Sequence, residues 1–380
     1  MDRVIRKLMM GTLAIGLISP IHAVAGEQNQ DGKDRARAVF VMNNSVERNE
    51  VIAFQRAADG TLLEAGRFAT GGRGSGGTTD PLESQGSLTL SQDHSLLFAV
   101  NAGSGQVSVF RVEGSELELL GTVNSGGSEP NAVAQHGNLV YVLNVGGSSD
   151  VVGFTLNHGQ LEQIPQSTRF LTTNNSEAAS LAFSPDGNVL VVTERATNNI
   201  DVFAVQGDGR LAPIVVNGNG GPGSFSVTFA PNGAALVSET GPAGVANGSA
   251  ISSYAVQANG TLSPISASVP TFGAANCWNV VTPDGRFVYV SNAGSATISG
   301  FAIGATGALT PISGTVVGTN PSGATNLDIT VSGDGKFLYT LNSGNGTIGI
   351  FAIQKDGTLA NVGPAEVFAA KAGFNGIAAN

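Results

Sequence analysis

The sequence predicts an all-β chain folded as a seven-bladed β-propeller and closed by its own C-terminal strand. Three observations lead there: two families of tight turn alternate along the chain, short apolar runs separate them, and each chain end carries part of one repeat. The first family comprises Asp93-His94, His136-Gly137, Asp186-Gly187, Asn232-Gly233, Asp284-Gly285 and Asp334-Gly335. The second comprises Asp59-Gly60, Gly114-Ser115, His158-Gly159, Asp208-Gly209, Asn259-Gly260, Thr306-Gly307 and Asp356-Gly357. Both recur roughly every 50 residues, a period that belongs to repeat architectures. Asp-Gly and Asn-Gly between short apolar runs are hairpin signals, because those residues tolerate the backbone angles of a two-residue turn.

Each unit therefore reads as four antiparallel strands. In the unit beginning near Asn276 they are "NVVT", "FVYVSN", "TISGFAI" and "LTPISGTV". Four strands repeated at this length are the pattern of a propeller blade. The first unit starts at "AVFVMNN" without an innermost strand, and the chain ends in "GFNGIAAN", which is similar to the innermost strands "GSFSVTFAP" and "NCWNVVTP". The C-terminus is thus expected to complete blade one, a closure that leaves no open sheet edge. Residues 38–380 form one domain in this reading, preceded by a disordered polar lead-in at 26–37.

Residues 1–25 have the three parts of a secretory signal: a basic start at Arg3, Arg6 and Lys7, the apolar "LMMGTLAIGLI", and a small-residue cleavage site, "AVA". A periplasmic or extracellular protein is expected. Later apolar runs are too short and broken to cross a bilayer. Without the signal the chain holds 15 Lys and Arg against 27 Asp and Glu, a net charge of −12. An acidic surface of that kind excludes nucleic acid, whose phosphates demand a basic one. Cys277 is the one cysteine, so no intrachain disulfide can form and stability must come from packing.

If both turn families lie on one face, here the lower, the ends of the second strands and the inter-blade connections gather on the upper. The lower face takes His94, His136 and His158, which removes a metal triad and a Ser-His-Asp arrangement from the upper face. No P-loop or zinc-spaced motif identifies a cofactor. The upper face collects Asn101, Asn144, Glu194, Glu239, Asn292 and Asn342 at second-strand ends, with Asn276, Cys277 and Trp278 at an inner strand. Asn suits the turn after a strand; Glu does not. Glu194 is either a general base at the channel mouth, its pKa raised by burial, or a structural partner of Arg195 or a neighbouring blade. Glu239 lies one position earlier relative to its turn and is the second candidate acid. Arg195, Trp278, Asn276, Asn292 and Asn101 are the candidate substrate contacts. Trp278 reads equally as core and Cys277 as a buried thiol.

The segments "SPDGNVLVVTE", "TPDGRFVYVSNAGSATISGF" and "SGDGKFLYTLNSGNGTIGIF", with "DGTL" and "DGRL" opening fourth strands, resemble the lactonase family of seven-bladed propellers, the 6-phosphogluconolactonase-like proteins, and the related YVTN-type surface propellers. The resemblance runs from about residue 38 to the end. It implies a lactone or sugar-acid substrate and catalytic Arg, His and Glu groups, the first two in a "G-P-R-H" segment. In the corresponding "GPGSFSVTFAPNGAALVSET", Gly223 and Ser224 stand at the Arg and His positions, and Glu239 approximates the acid. Two readings stay open: a secreted hydrolase acting on a lactone or sugar-acid ester through Glu194 or Glu239, and a non-catalytic propeller that binds a carbohydrate, a lactone or a protein. The export signal makes its own prediction. N-terminal sequencing of the exported protein should begin at Gly26, and a mature chain that retained Met1 would refute it.

Overall fold

The computed structural model describes residues 37–380, so the signal segment and all of the lead-in but Arg37 lie outside the described residues. Seven antiparallel sheets form a ring of blades. From blade one to blade seven the inner strands are Asn375–Ala379, Leu88–Leu90, Ser128–His136, Ala178–Phe183, Ser224–Phe229, Asn276–Val281 and Asn326–Val331. The second strands are Ala38–Met42, Leu96–Asn101, Leu139–Gly146, Val189–Glu194, Ala234–Glu239, Phe287–Asn292 and Phe337–Asn342. Each inner strand packs against the next around the ring. Among the described residues the helical content is one short turn, Ala102–Ser104, and no helix is long and apolar enough to cross a membrane.

Burial follows position in the blade. A second strand has a strand on either side and a neighbouring blade on either face. "VLVVT", "FVYVS" and "FLYTL" are accordingly near-continuous apolar runs and almost wholly buried, whereas the outer strand Leu62–Ala69 is mostly exposed. That is the pattern of strands covered on both faces. The apolar clusters sit between blades rather than at one centre: Phe337, Tyr339 and Leu341 of blade seven pack with Val39, Ile52 and Phe54 of blade one and with Ile377 of the closing strand.

Both turn families lie on the same face, as expected. In the first, a Ser or Thr two residues before the Asp completes a local network: Thr282 Oγ donates to Asp284 Oδ1 at 2.6 Å, and Gly285 N donates to Thr282 O at 2.8 Å. In the second, the glycine is a contact point for the preceding blade. Gly60 (φ +91°) and Gly357 (φ +84°) take the left-handed conformation, and a Cβ there would lie 2.4 Å and 2.6 Å from the rings of Phe337 and Phe287. Their carbonyls accept hydrogen bonds from Tyr339 (3.1 Å) and Tyr289 (2.8 Å), and Tyr141 reaches Gly209 in the same way at 2.9 Å. The Phe-x-Tyr of one second strand and the Asp-Gly of the next blade are therefore two halves of one lower-face joint.

Closure is by the C-terminus. Val39 pairs with Ala379 and Val41 with Ile377; Asn380 N donates to Ala38 O at 3.1 Å, and Ala38 N to Asn380 Oδ1 at 2.6 Å. Arg56 of blade one, its side chain 1% exposed, reaches Asp334 of blade seven at 2.9 Å across the same seam. Ile377 is 4% exposed, so Ile377→Ala should remove about 2–5 kcal/mol from the unfolding free energy. Urea titration followed by tryptophan fluorescence checks this, with the midpoint lowered and the slope unchanged.

Candidate functional site

The side chains at the second-strand ends face inward, into the joints between blades. Asn101, Asn144, Glu194, Asn292 and Asn342 are fully buried and Glu239 is 1% exposed. In blade two, Thr70 of the preceding connection donates to Asn101 Oδ1 at 2.6 Å, and Asn101 Nδ2 donates to Ser108 Oγ at 2.8 Å. Blade six repeats the arrangement, with Asn292 Nδ2 on Ser299 Oγ at 2.9 Å and Ser299 Oγ on Thr271 O at 2.7 Å. The Gly-rich connections cross these side chains closely: a Cβ on Gly127 would fall 2.6 Å from Asn144 Cγ, and one on Gly273 2.2 Å from Asn292 Cγ. Those glycines are there for packing.

Strand register makes Glu194 and Glu239 equivalent to these asparagines. Glu194 pairs with Asn199, Glu239 with Ala250, Asn292 with Thr297 and Asn101 with Gln106. Thr172 N donates to Glu194 Oε1 at 2.8 Å, and Oε2 accepts from the hydroxyls of Thr172 and Thr197 and from Asn199 Nδ2 at 3.4 Å. Glu239 Oε1 accepts from Ser252, Oε2 lies beside Ser268 and the Gly221 amide without a hydrogen bond of ordinary geometry, and burial raises the pKa of this carboxyl. Asn276 is fully buried, its Nδ2 on Ala250 O at 2.6 Å. The predicted site residues thus occupy separate joints in blades two, four, five and six.

Arg195 is the one member of the set that is only partly buried. Its guanidinium bridges Glu177 (2.8 Å) and Glu83, two carboxylates each a little over half exposed. Ion pairs this open contribute little to stability, but this one ties blade four to residues 70–87, the connection between blades one and two. That connection spans the upper mouth. Ser343 Oγ of blade seven donates to Thr79 O at 2.6 Å, Asn375 Nδ2 of the closing strand to Asp80 Oδ1 at 3.0 Å, and Trp278 Nε1 of blade six to Ser84 O at 2.9 Å. Ser84 Oγ donates to Asn131 O of blade three at 2.8 Å, and Gln85 N to Ala179 O of blade four at 2.9 Å. Trp278 is 1% exposed and meets the Phe225 ring edge-on at 5.0 Å. It packs beneath this bridge, with the buried thiol of Cys277, its pKa raised by burial, beside it.

Below the bridge the channel opens on the lower face. Two adjoining cavities of about 390 and 350 Å³ share Gln85, Gly86 and Thr89, and are walled by inner-strand residues including Val280, Thr330, Ala182 and Thr228. His94 and His136 lie at their lower rims, where the turns place them. Asp328 lines the larger cavity, 4% exposed, accepting from Ile329 N at 2.9 Å and Ile377 N at 3.1 Å. Burial pushes its carboxyl up to about 7, and that of Asp80, in the bridge above, up to about 6. Sequence reading did not single out either residue. Asp80 sits in a turn-rich connection and Asp328 in an ordinary inner strand, and their meeting is a product of ring closure. Among the described residues no group of three or more His, Cys, Asp or Glu side chains could hold a metal ion.

A family model described as "Lactonase, 7-bladed beta-propeller" matches residues 135–277. No curated protein matches the sequence. Among solved structures, one from Bacteroides uniformis, provisionally assigned as a 6-phosphogluconolactonase, is 20% identical, with a TM-score of 0.65 over 90% of this chain and 99% of its own. The periplasmic gluconolactonase PpgL of Pseudomonas aeruginosa is 18% identical, with a TM-score of 0.65 over 88% of this chain and 97% of its own. A Lactobacillus plantarum protein is 19% identical, with the same TM-score over 88% and 97%. At these identities the likeness is one of fold.

A carboxyl whose pKa is higher in the folded than in the unfolded chain holds its proton longer when folded, so its contribution to stability is lost as pH rises from about 4 to about 7. Asp328→Asn should flatten that part of the stability profile, read as the melting temperature at pH 5 against pH 8. An unchanged difference would mean that Asp328 ionises freely. By motif over residues 135–277 and by fold around the whole ring, the chain is a seven-bladed β-propeller that resembles the lactonase family.

Proposed function

We propose that the protein is an exported propeller of lactonase type that binds a small lactone or sugar acid in its central channel, reached from the lower face, without hydrolysing it at the upper mouth. The observation that carries this reading is the bridge of residues 79–87, hydrogen-bonded to five blades above a channel that remains open below. The cavities beneath it match the size of small-ligand pockets, and threonine hydroxyls and one buried carboxyl give a hydroxylated ring oriented partners. Protonated Asp328 can donate to a ligand oxygen, which the raised pKa favours near neutral pH. Export to the periplasm or the medium rests on the sequence of residues 1–25.

Hydrolysis through the upper-face acids is supported by one observation, that Oε2 of Glu239 makes no hydrogen bond of ordinary geometry. A buried carboxylate oxygen so placed is available to a water molecule. Against it stands the burial of Glu194 and Glu239, which leaves neither within reach of a substrate unless the connections move.

The two readings separate in one set of measurements on purified protein with glucono-1,5-lactone and gluconate. Binding should be saturable by calorimetry and weakened about tenfold or more in Asp328→Ala, which removes the donor, with lactone decay no faster than in buffer. Turnover that disappears in Glu239→Gln or Glu194→Gln would reverse the assignment in favour of the hydrolase.

A further inference from the structure

Blade four departs from its sister blades at two facing positions. Two residues into the third strand, counted from the partner of the second-strand end, blades two, five and six carry Ser108, Ser252 and Ser299. Each hydroxyl meets the side chain at the second-strand end: Asn101, Glu239 and Asn292 respectively. A hydroxyl against an amide or a carboxylate always supplies one donor and one acceptor. In blade four the same positions are Asp201 and Glu194. Both are fully buried. No hydrogen-bond donor among the described residues reaches either oxygen of Asp201, and the group it meets is the Glu194 carboxyl. Two facing acceptors, one of them without a donor, are costly in a buried joint unless something positive lies between them.

The groups around the pair are two hydroxyls, one side-chain amide and one backbone N–H. The Thr172 and Thr197 hydroxyls bond Glu194, and the Asn199 side chain lies 3.4 Å from it. Where the connections into blades two, three, five and six bring glycine over the joint, blade four has Leu171-Thr172-Thr173, which adds hydroxyls at that point. Two carboxylates and two hydroxyls, with the Asn199 amide turned over to present Oδ1 in place of Nδ2, form the ligand set of a hard divalent cation, and adaptable side chains suit Ca²⁺ better than Mg²⁺.

We propose that the joint between blades three and four is a structural Ca²⁺ site, with Glu194 and Asp201 as the charged ligands and Thr172, Thr197 and Asn199 completing the oxygen shell. The ion neutralises the carboxylate pair and fastens the connection after blade three to blade four, as hydrogen bonds alone do in blades two and six. This assignment is independent of the ligand proposed for the channel, which lies on the other side of the inner strands.

The test is elemental analysis of protein purified in calcium-containing buffer and then gel-filtered, together with melting curves with Ca²⁺, with Mg²⁺ and after prolonged EDTA treatment. One Ca²⁺ per wild-type chain is expected, with a melting temperature that falls on EDTA treatment and recovers with Ca²⁺ but not with Mg²⁺. Asp201→Ser restores the sister-blade pairing, so it should fold, hold no Ca²⁺ and melt at the same temperature with or without EDTA. Glu194→Asn is the second variant, with the same expectation, should the first fail to fold. Wild-type protein without calcium and indifferent to EDTA would overturn the site and leave a shared proton between the two carboxyls. Calcium retained at one per chain in both variants would place the ion elsewhere and equally overturn the assignment.

Discussion

The ring depends on the polar joint that closes each gap between blades near the upper face. Apolar clusters fill the space between neighbouring sheets, but burial is non-directional and does not by itself fix how one blade is set against the next. In blades two to seven a buried polar side chain at the end of the second strand supplies that direction by bonding the third strand of its own blade and, in blades two, four and seven, the connection arriving from the one before. The lower face has its counterpart in the tyrosine hydroxyls that donate to glycine carbonyls of the following blade. Held at both heights, adjacent blades have little freedom to slide.

This arrangement changes what an acidic residue at such a position means. Exposed at a channel mouth, a glutamate is a candidate base. Buried in a joint, it is first a demand for donors, and the protein meets that demand differently in each blade. In blade five Ser252 satisfies one oxygen of Glu239; in blade four two threonines and a backbone amide gather on Glu194, while Asp201 opposite is left without a donor. The same repeat position thus holds an amide and a hydroxyl in some blades and two carboxyls in another.

The channel shows the second consequence of ring closure. A connection between blades one and two that is longer than its counterparts crosses the upper mouth and bonds to inner strands on the far side. It shortens the inner strand of blade two to Leu88–Leu90, since the residues before it are engaged in the crossing. Two carboxyls, Asp80 and Asp328, then lie in a partly desolvated space where ionisation is unfavourable. Together with His94 and His136 at the lower rims, they give the channel its titratable groups.

The sequence determined the blades. Turn residues need local backbone conformations, and a strand covered on both faces needs an apolar run, so strand number, turn family, the C-terminal closing strand and the side on which each histidine falls were legible from one chain. It also marked Glu194 as a departure from the repeat, and aligning third strands by register would have shown Asp201 facing it. Only the tertiary structure decided where those side chains point. A residue at a strand end can turn toward the mouth or into the joint without any change in local pattern, and the choice rests on the neighbouring blade. Nor does the composition of residues 70–87 reveal that they bridge the channel, because their partners Asn131, Ala179, Trp278 and Ser343 come together only when the ring closes.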